Sequence, residues 1–210
     1  VSKSKISVIE HGVDTKKFFP QKHTNSKKII MYSGAINIGY DFDLVLNCAK
    51  YLENENIKFI IRGTGDLSEL IKKNIQQNSI SNVVLDTVLV DSNKLVKILQ
   101  SADFFILPMS KVVGIDTGLP TKIFEYQALG KPIICVSDNQ AGKYIEKTES
   151  GLVTNSRDPK ILSELILKLV KDEKLSNTLG QNGLDNVQNN LTLNHIGARF
   201  LEIIKNLKLT

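Results

Sequence analysis

One run of this chain, Gly118-Leu119-Pro120-Thr121-Lys122-Ile123-Phe124-Glu125-Tyr126-Gln127-Ala128-Leu129-Gly130-Lys131-Pro132, gathers residue types at spacings that fit chemistry. Pro120 suits the first helical position, where its missing N–H costs nothing, and Gly130 followed by Pro132 stops the helix. The spacing predicts a helix whose free N–H groups, from Gly118 to Lys122, and positive dipole end look out from the end of a strand. A diphosphate is the guest that such a start accepts. Glu125 stands about one and a half turns further in, within reach of the hydroxyl groups of a sugar attached to that diphosphate.

Two further turns have the same build. Tyr32-Ser33-Gly34-Ala35 follows one apolar run, and Arg62-Gly63-Thr64-Gly65-Asp66 follows another. A glycine directly after a buried strand lets the backbone approach a ligand closely. Each turn alone reads equally well as a turn and nothing more, but all three converge on one crevice at the carboxyl ends of strands, which favours a phosphate-bearing ligand. Neither loop carries the three-glycine dinucleotide fingerprint, so nicotinamide and flavin binding are disfavoured. Walker and nucleophile-elbow motifs are absent. His11, His23 and His195 stand far apart without Cys or carboxylate partners at ligand spacing, so no metal site is expected.

The elements that must position these residues read as a strict alternation. Near-continuous apolar runs at Ile29-Ile30-Met31-Tyr32, Phe59-Ile60-Ile61, Val83-Val84-Leu85, Phe104-Phe105-Ile106-Leu107, Ile133-Ile134-Cys135-Val136 and Leu152-Val153 fit strands buried on both faces. Helix-period segments lie between them: Leu44, Val45, Cys48, Ala49 and Leu52, then Leu67, Leu70, Ile71 and Ile75, then Leu95, Ile98, Leu99 and Ala102. The pattern predicts an α/β fold, a Rossmann-like, doubly wound parallel sheet of about six strands with helices on both faces. A helical C-terminal tail follows, with Asp158 as N-cap and Pro159 at the first helical position, then helices over Lys174 to Gly180 and His195 to Leu207. The stripe from Phe200 to Leu207 fits either burial in the domain's own core or contact with a further domain.

No linker divides the 210 residues, so a single domain over 1–210 is expected. The chain begins without Met and enters a strand-like segment, Ile6-Ser7-Val8-Ile9, almost at once, which reads as a piece of a longer protein. No stretch approaches about 18 consecutive apolar residues, and no signal peptide is visible. Cys48 and Cys135 read as small core residues of a reducing compartment rather than as a disulfide. The net charge of +5 comes from lysines spread along the chain without aromatic interleaving, which favours a solvated surface over a nucleic-acid face.

Taken in order, His11-Gly12-Val13-Asp14 with Phe18 and Pro20, the strand ending at Gly34, Gly63-Thr64-Gly65, Ser101-Ala102-Asp103 through Pro108, and Gly118-Leu119-Pro120 through Glu125 to Gly130-Lys131-Pro132 resemble the C-terminal, donor-binding half of GT-B fold glycosyltransferases of group 1. The resemblance covers nearly the whole chain. It implies transfer of a sugar from a nucleotide diphosphate sugar, with no metal or other cofactor required, and an N-terminal acceptor-binding domain that is missing here. Glu125 takes the position that binds the donor ribose, and Val88 and Leu89, within the loop Thr87 to Leu89, the position that meets the nucleobase. Thr117 replaces the first acid of the family's pair, with Asp116 beside it as a substitute toward the donor sugar. The loop cations of many members are Ala35 and Ile38 here, and Lys122 is placed to replace one of them.

The Pro120-Thr121-Lys122 form of the motif is similar to a subset acting in bacterial surface polysaccharide assembly. Cytoplasmic action, at the inner face of a membrane when the acceptor is lipid-linked, follows from the same resemblance, with membrane contact through the missing domain and none to nucleic acid. Two other readings fit the same residues: a GT-B nucleotide-sugar epimerase, and a non-catalytic nucleotide-binding module with a degenerate site.

Overall fold

The computed structural model describes residues 6–111 and 118–206; Asp116 and Thr117 therefore lie outside the described residues. Six parallel strands form one sheet in the order β3-β2-β1-β4-β5-β6: β1 (Lys28–Ser33), β2 (Ile57–Arg62), β3 (Val83–Asp86), β4 (Phe104–Pro108), β5 (Ile133–Val136) and β6 (Gly151–Thr154). Helices α1 (Phe42–Tyr51), α2 (Ser68–Gln77), α3 (Ser92–Gln100), α4 (Lys122–Ala128) and α5 (Gln140–Lys147) connect successive strands, and α6 (Pro159–Lys171), α7 (Glu173–Asn190) and α8 (Leu193–Asn206) form the tail. The six apolar runs are the six strands.

Successive residues of the central strands feed opposite layers, as the unbroken apolar runs require. Ile30, Phe104 and Ile106 pack with α1 and α6 through Val45, Leu162 and Ile166, while Met31, Phe105 and Leu107 pack with α3, α4 and α5 through Leu99, Ile123 and Ile145. Burial on both faces is complete for β4 and β5, whereas the edge strands β3 and β6 are partly exposed. Cys48 and Cys135 are both buried and unbridged. Asp158 caps α6 by accepting the Lys160 N–H at 2.8 Å, with Pro159 in its first turn.

Two expectations fail for identifiable reasons. Ile6 to Ile9 is not a strand; Ile6 and Val8 are exposed, and the chain runs instead to α7 and α8, where the Val13 N–H bonds to Leu191 O at 2.8 Å and Val13 O accepts from Leu193 at 3.2 Å. The helix read as ending at Gly180 continues to Asn190. Gly180 is a contact residue, not a stop: a Cβ there would overlap the Gly130 carbonyl, so the glycine lets α7 lie directly on the end of α4. Helix α5 is started by Asn139, which caps it by accepting the Ala141 N–H at 2.9 Å. The tail helix α8 buries none of its side chains; Phe200, Leu201 and Ile204 remain about half exposed, at 54%, 56% and 47%. Among the described residues of this stripe, 200–206, none is buried in the domain's own core.

Candidate functional site

The strand order reverses between β1 and β4, and at such a switch point the two flanking loops leave in opposite directions and open a crevice at the carboxyl ends. Here the crevice opens early, because β1 and β4 pair only through Ile30 with Phe104 and Met31 with Phe105. Tyr126 fills the split. Its ring stacks on Phe105 at 3.7 Å, and its hydroxyl accepts the Ser33 N–H at 3.0 Å and donates to Ser33 O at 2.9 Å, serving the last residue of β1 as a neighbouring strand would. Burial pushes the Tyr126 hydroxyl pKa well above its ordinary value, so it stays protonated.

Beyond the strands the loops remain laced together. Gly34 N bonds to Arg62 O at 3.0 Å, Ile36 N to Thr64 O at 2.9 Å and Gly63 N to Asp86 O at 2.9 Å. The loop after β1 then folds over the end of β4, with Asp41 N on Pro108 O at 2.8 Å and Ser110 N on Gly39 O at 2.9 Å. Between the loops lies a crevice of about 360 Å³, which Gly34, Ala35, Arg62, Gly63, Val88 and Leu89 help to line. A second hollow, of about 250 Å³, holds Gly118 and Leu119 beside Tyr40 and Pro120. Gly65 lines neither; its N–H is turned to Ser68 Oγ at 3.1 Å. A further concavity at the ends of β5 and β6 carries Asp138, Glu146 and Lys143, so its carboxylates outnumber its one lysine.

Helix α4 begins later than its sequence implies. Thr121 is the N-cap and Pro120 precedes it, because Ile123 and Phe124 bond back to Pro120 and Thr121 in tight three-residue steps, each at 3.1 Å. Its end is as expected: Gly130 N bonds to Gln127 O and Lys131 N to Tyr126 O, the paired bonds of a Schellman stop. A helix of seven residues has little dipole to offer, so the positive charge at this position rests on Lys122. Ile123, Phe124, Tyr126, Gln127 and Ala128 are all buried, which leaves Lys122 and Glu125, three apart, on the one stripe that is not.

From that stripe Lys122 reaches across to the β1 loop. Its Nζ donates to Tyr32 Oη at 2.8 Å and lies 4.2 Å and 4.1 Å from the ring centres of Tyr32 and Tyr40. Gly34 (φ +148°) faces it, and a Cβ there would collide with the Lys122 ammonium. Burial disfavours the charged form and lowers the lysine pKa from 10.5 to about 7, with the nearby Glu125 pulling the other way. Glu125 has its own pKa raised by burial, opposed by His11, Lys122 and Lys17. Its carboxylate accepts no hydrogen bond from the described residues and so keeps its capacity for hydroxyl groups. His11 is exposed, lies parallel to the Phe124 ring at 6.4 Å and faces Glu125.

Arg62 is brought to the crevice but is already engaged. Only 4% exposed, it pairs with Asp86 and donates to Val88 O at 2.6 Å, while the Val88 N–H is taken by Asp86 Oδ1 at 3.0 Å. Both backbone groups of Val88 are thus used to fix the loop, which leaves Thr87 and Leu89 for a ligand. Arg62→Met is expected to cost about 1–3 kcal/mol in urea unfolding and to blunt the preference among nucleoside diphosphates. Unchanged stability together with unchanged preference, measured by calorimetry with each nucleotide, contradicts that role. Among the described residues no cluster of three or more His, Cys, Asp or Glu side chains stands at metal-binding spacing, and no helix is long and apolar enough to cross a membrane.

An open, doubly wound parallel sheet, with glycine turns and a largely covered lysine at its switch point, defines a Rossmann-like α/β domain. Comparison with known proteins gives the family. Residues 13–185 match the family model "Glycosyl transferases group 1", and the chain belongs to that family. Its fold is that of one GT-B domain. It is 28% identical over 194 residues to the N,N'-diacetylbacillosaminyl-diphospho-undecaprenol alpha-1,3-N-acetylgalactosaminyltransferase of Campylobacter jejuni, covering 87% of this chain and 50% of that one. The crystal structure of the C-terminal domain of a group 1 family glycosyl transferase from Francisella tularensis superposes with a TM-score of 0.70 at 17% identity, covering 87% of this chain and all of that domain. Anabaena HepE, crystallised in complex with UDP and glucose, gives 0.78 at 13% identity, over 96% of this chain and 57% of its own. The chain spans about half the length of the curated relatives it matches, 40% to 52% of the first three.

Proposed function

We propose that this chain is the donor-binding half of a glycosyltransferase of polysaccharide or glycoconjugate assembly, and that it holds a nucleotide diphosphate sugar at the switch point. The observation that carries this reading is the Lys122 ammonium, buried against Gly34 between the glycine turns with no carboxylate in ion-pair contact among the described residues. In this reading the diphosphate lies along Gly34, Ala35 and Gly63 toward Lys122, the nucleobase meets Leu89, the ribose hydroxyls donate to Glu125, and Gly118 and Leu119 border the sugar. As the anomeric bond breaks, charge grows on the departing diphosphate, and a cation fixed in a low-dielectric wall stabilises it more than water does. The UDP in Anabaena HepE supports a nucleoside diphosphate as guest, and the undecaprenol-linked acceptor in the Campylobacter enzyme's name supports a lipid-linked acceptor.

The acceptor half is supplied by another part of the same protein, which covers the exposed stripe of α8 and makes any peripheral contact with the inner face of the membrane. The isolated chain therefore binds donor but transfers little. Full-length protein, assayed for nucleotide release with a sugar donor and a polyprenyl-diphosphate acceptor, should lose about 10- to 100-fold in kcat/KM on Glu125→Ala, the value of a hydrogen bond to a charged group. Unaltered turnover in that variant, or release of a free epimerised sugar by the wild type, defeats the assignment.

A further inference from the structure

We propose that Tyr40 and Tyr32 are positioning residues for the donor diphosphate: their two rings hold the Lys122 ammonium in place across the β1 loop before the ligand arrives. This inference rests on the donor-site reading above and adds to it two residues on which sequence reasoning placed no function. A lysine has four rotatable side-chain bonds, and an unrestrained one loses that freedom only when the ligand binds. Here the freedom is already lost. Nζ stands 4.1 Å from the Tyr40 ring centre and 4.2 Å from that of Tyr32, both within cation–π range, and the Tyr32 hydroxyl accepts from it at 2.8 Å.

The choice of aromatic rings over a carboxylate matters. An ion pair would fix the lysine equally well but would neutralise it, and a diphosphate would then have to displace the carboxylate. Ring faces attract the cation and leave its full charge for the anion. Glu125, on the same stripe, attracts the ammonium without contacting it as an ion pair.

The holder is itself held from three sides. Tyr32 belongs to β1 and donates its hydroxyl to Ala35 O at 2.5 Å, so the atom that receives the lysine also ties down the loop that meets the diphosphate. Tyr40 packs edge-on against Tyr32 at 4.9 Å, and Phe42 does the same to Tyr32 at 5.0 Å. The backbone at Tyr40 is bridged to Met109 past the end of β4. Gly34 completes the arrangement, since any larger residue would push the ammonium off the rings.

The test is calorimetric titration of this chain with UDP, GDP and ADP, using the nucleotide that binds best, in wild type, Tyr40→Leu, Tyr40→Phe, Lys122→Met and the Tyr40→Leu/Lys122→Met double variant, with thermal unfolding of each as the check on folding. Tyr40→Leu is expected to weaken binding about 5- to 20-fold, Tyr40→Phe, which keeps the ring, less than about twofold, and Tyr40→Leu to add nothing once Lys122 is methionine. Because the rings favour the charged amine, Tyr40→Leu should also move the pH at which affinity falls to lower values. The groups facing that amine are Tyr32, Tyr40 and Glu125. Equal affinity in Tyr40→Leu and wild type, or the same loss with and without Lys122, overturns the positioning role while leaving the donor site standing. A wild type that binds none of the three nucleotides overturns both.

Discussion

Lys122→Met is expected to weaken nucleoside diphosphate binding by about 10- to 100-fold, the worth of a charge-assisted contact to phosphate in a half-buried site, and to remove most of its pH dependence. The sign follows from the depressed pKa of about 7. Below that pH the free protein carries the ammonium and the diphosphate meets a cation. Above it the free protein has lost the proton, so binding must first regain it, and affinity falls as pH rises through 7 and beyond. At pH 8 the wild type should take up close to one proton on binding, visible as a buffer-dependent heat, and Lys122→Met should take up almost none. Stability runs the other way. A lysine whose folded pKa is lowered penalises the folded state while it is charged, and the penalty is relieved as pH climbs from about 7 toward the ordinary value of 10.5. Rising pH should therefore steady the free domain and loosen its hold on the ligand, and both trends should flatten in the methionine variant.

Gly63→Ala should produce the largest loss of stability of any single methyl addition near the site. Gly63 has φ +138°, where an L side chain is strained, and its Cβ would overlap the carbonyl oxygen of Gly34, which is backbone and cannot swing aside. Both loops would have to separate, breaking the bond from Gly34 N to Arg62 O and the one from Gly63 N to Asp86 O. A cost of about 3 kcal/mol is expected, lowering Tm by roughly 6–12 °C in a domain of this size, together with loss of measurable nucleotide binding. Gly197→Ala is the control, since nothing lies within 4 Å of its added methyl on α8; it should be neutral or slightly stabilising. A Gly63→Ala protein as stable as the control would show that the two loops are not in close contact.

What the sequence made legible depended on how local the information was. The central strands were readable because a strand buried on both faces must be apolar at every position, the edge strands because their short apolar runs keep the same spacing between helices, and the glycines at 34 and 63 because a tight turn directly after a strand leaves a local mark. Glu125 and Lys122 could be placed on one helix stripe by spacing alone. The wall behind them could not. Tyr32 closes an apolar run and reads as core, yet its hydroxyl serves a lysine 90 positions away, and Tyr126 serves Ser33 across 93. Arg62 stands in a strand-end turn of the crevice, but nothing local shows that Asp86 and Val88 engage it. Gly180 reads as a helix stop because its reason for being glycine, the Gly130 carbonyl, lies on another element.

The central claim is that the crevice at the switch point binds a nucleoside diphosphate through Lys122 and Glu125. Titration calorimetry of this chain with UDP, GDP and ADP near pH 6.5, where Lys122 is charged, tests it most directly. At least one of the three should bind in the micromolar to submillimolar range, and both Lys122→Met and Glu125→Ala should weaken it by about tenfold or more. No binding of any of them at millimolar concentration, or binding that neither substitution alters, would contradict it.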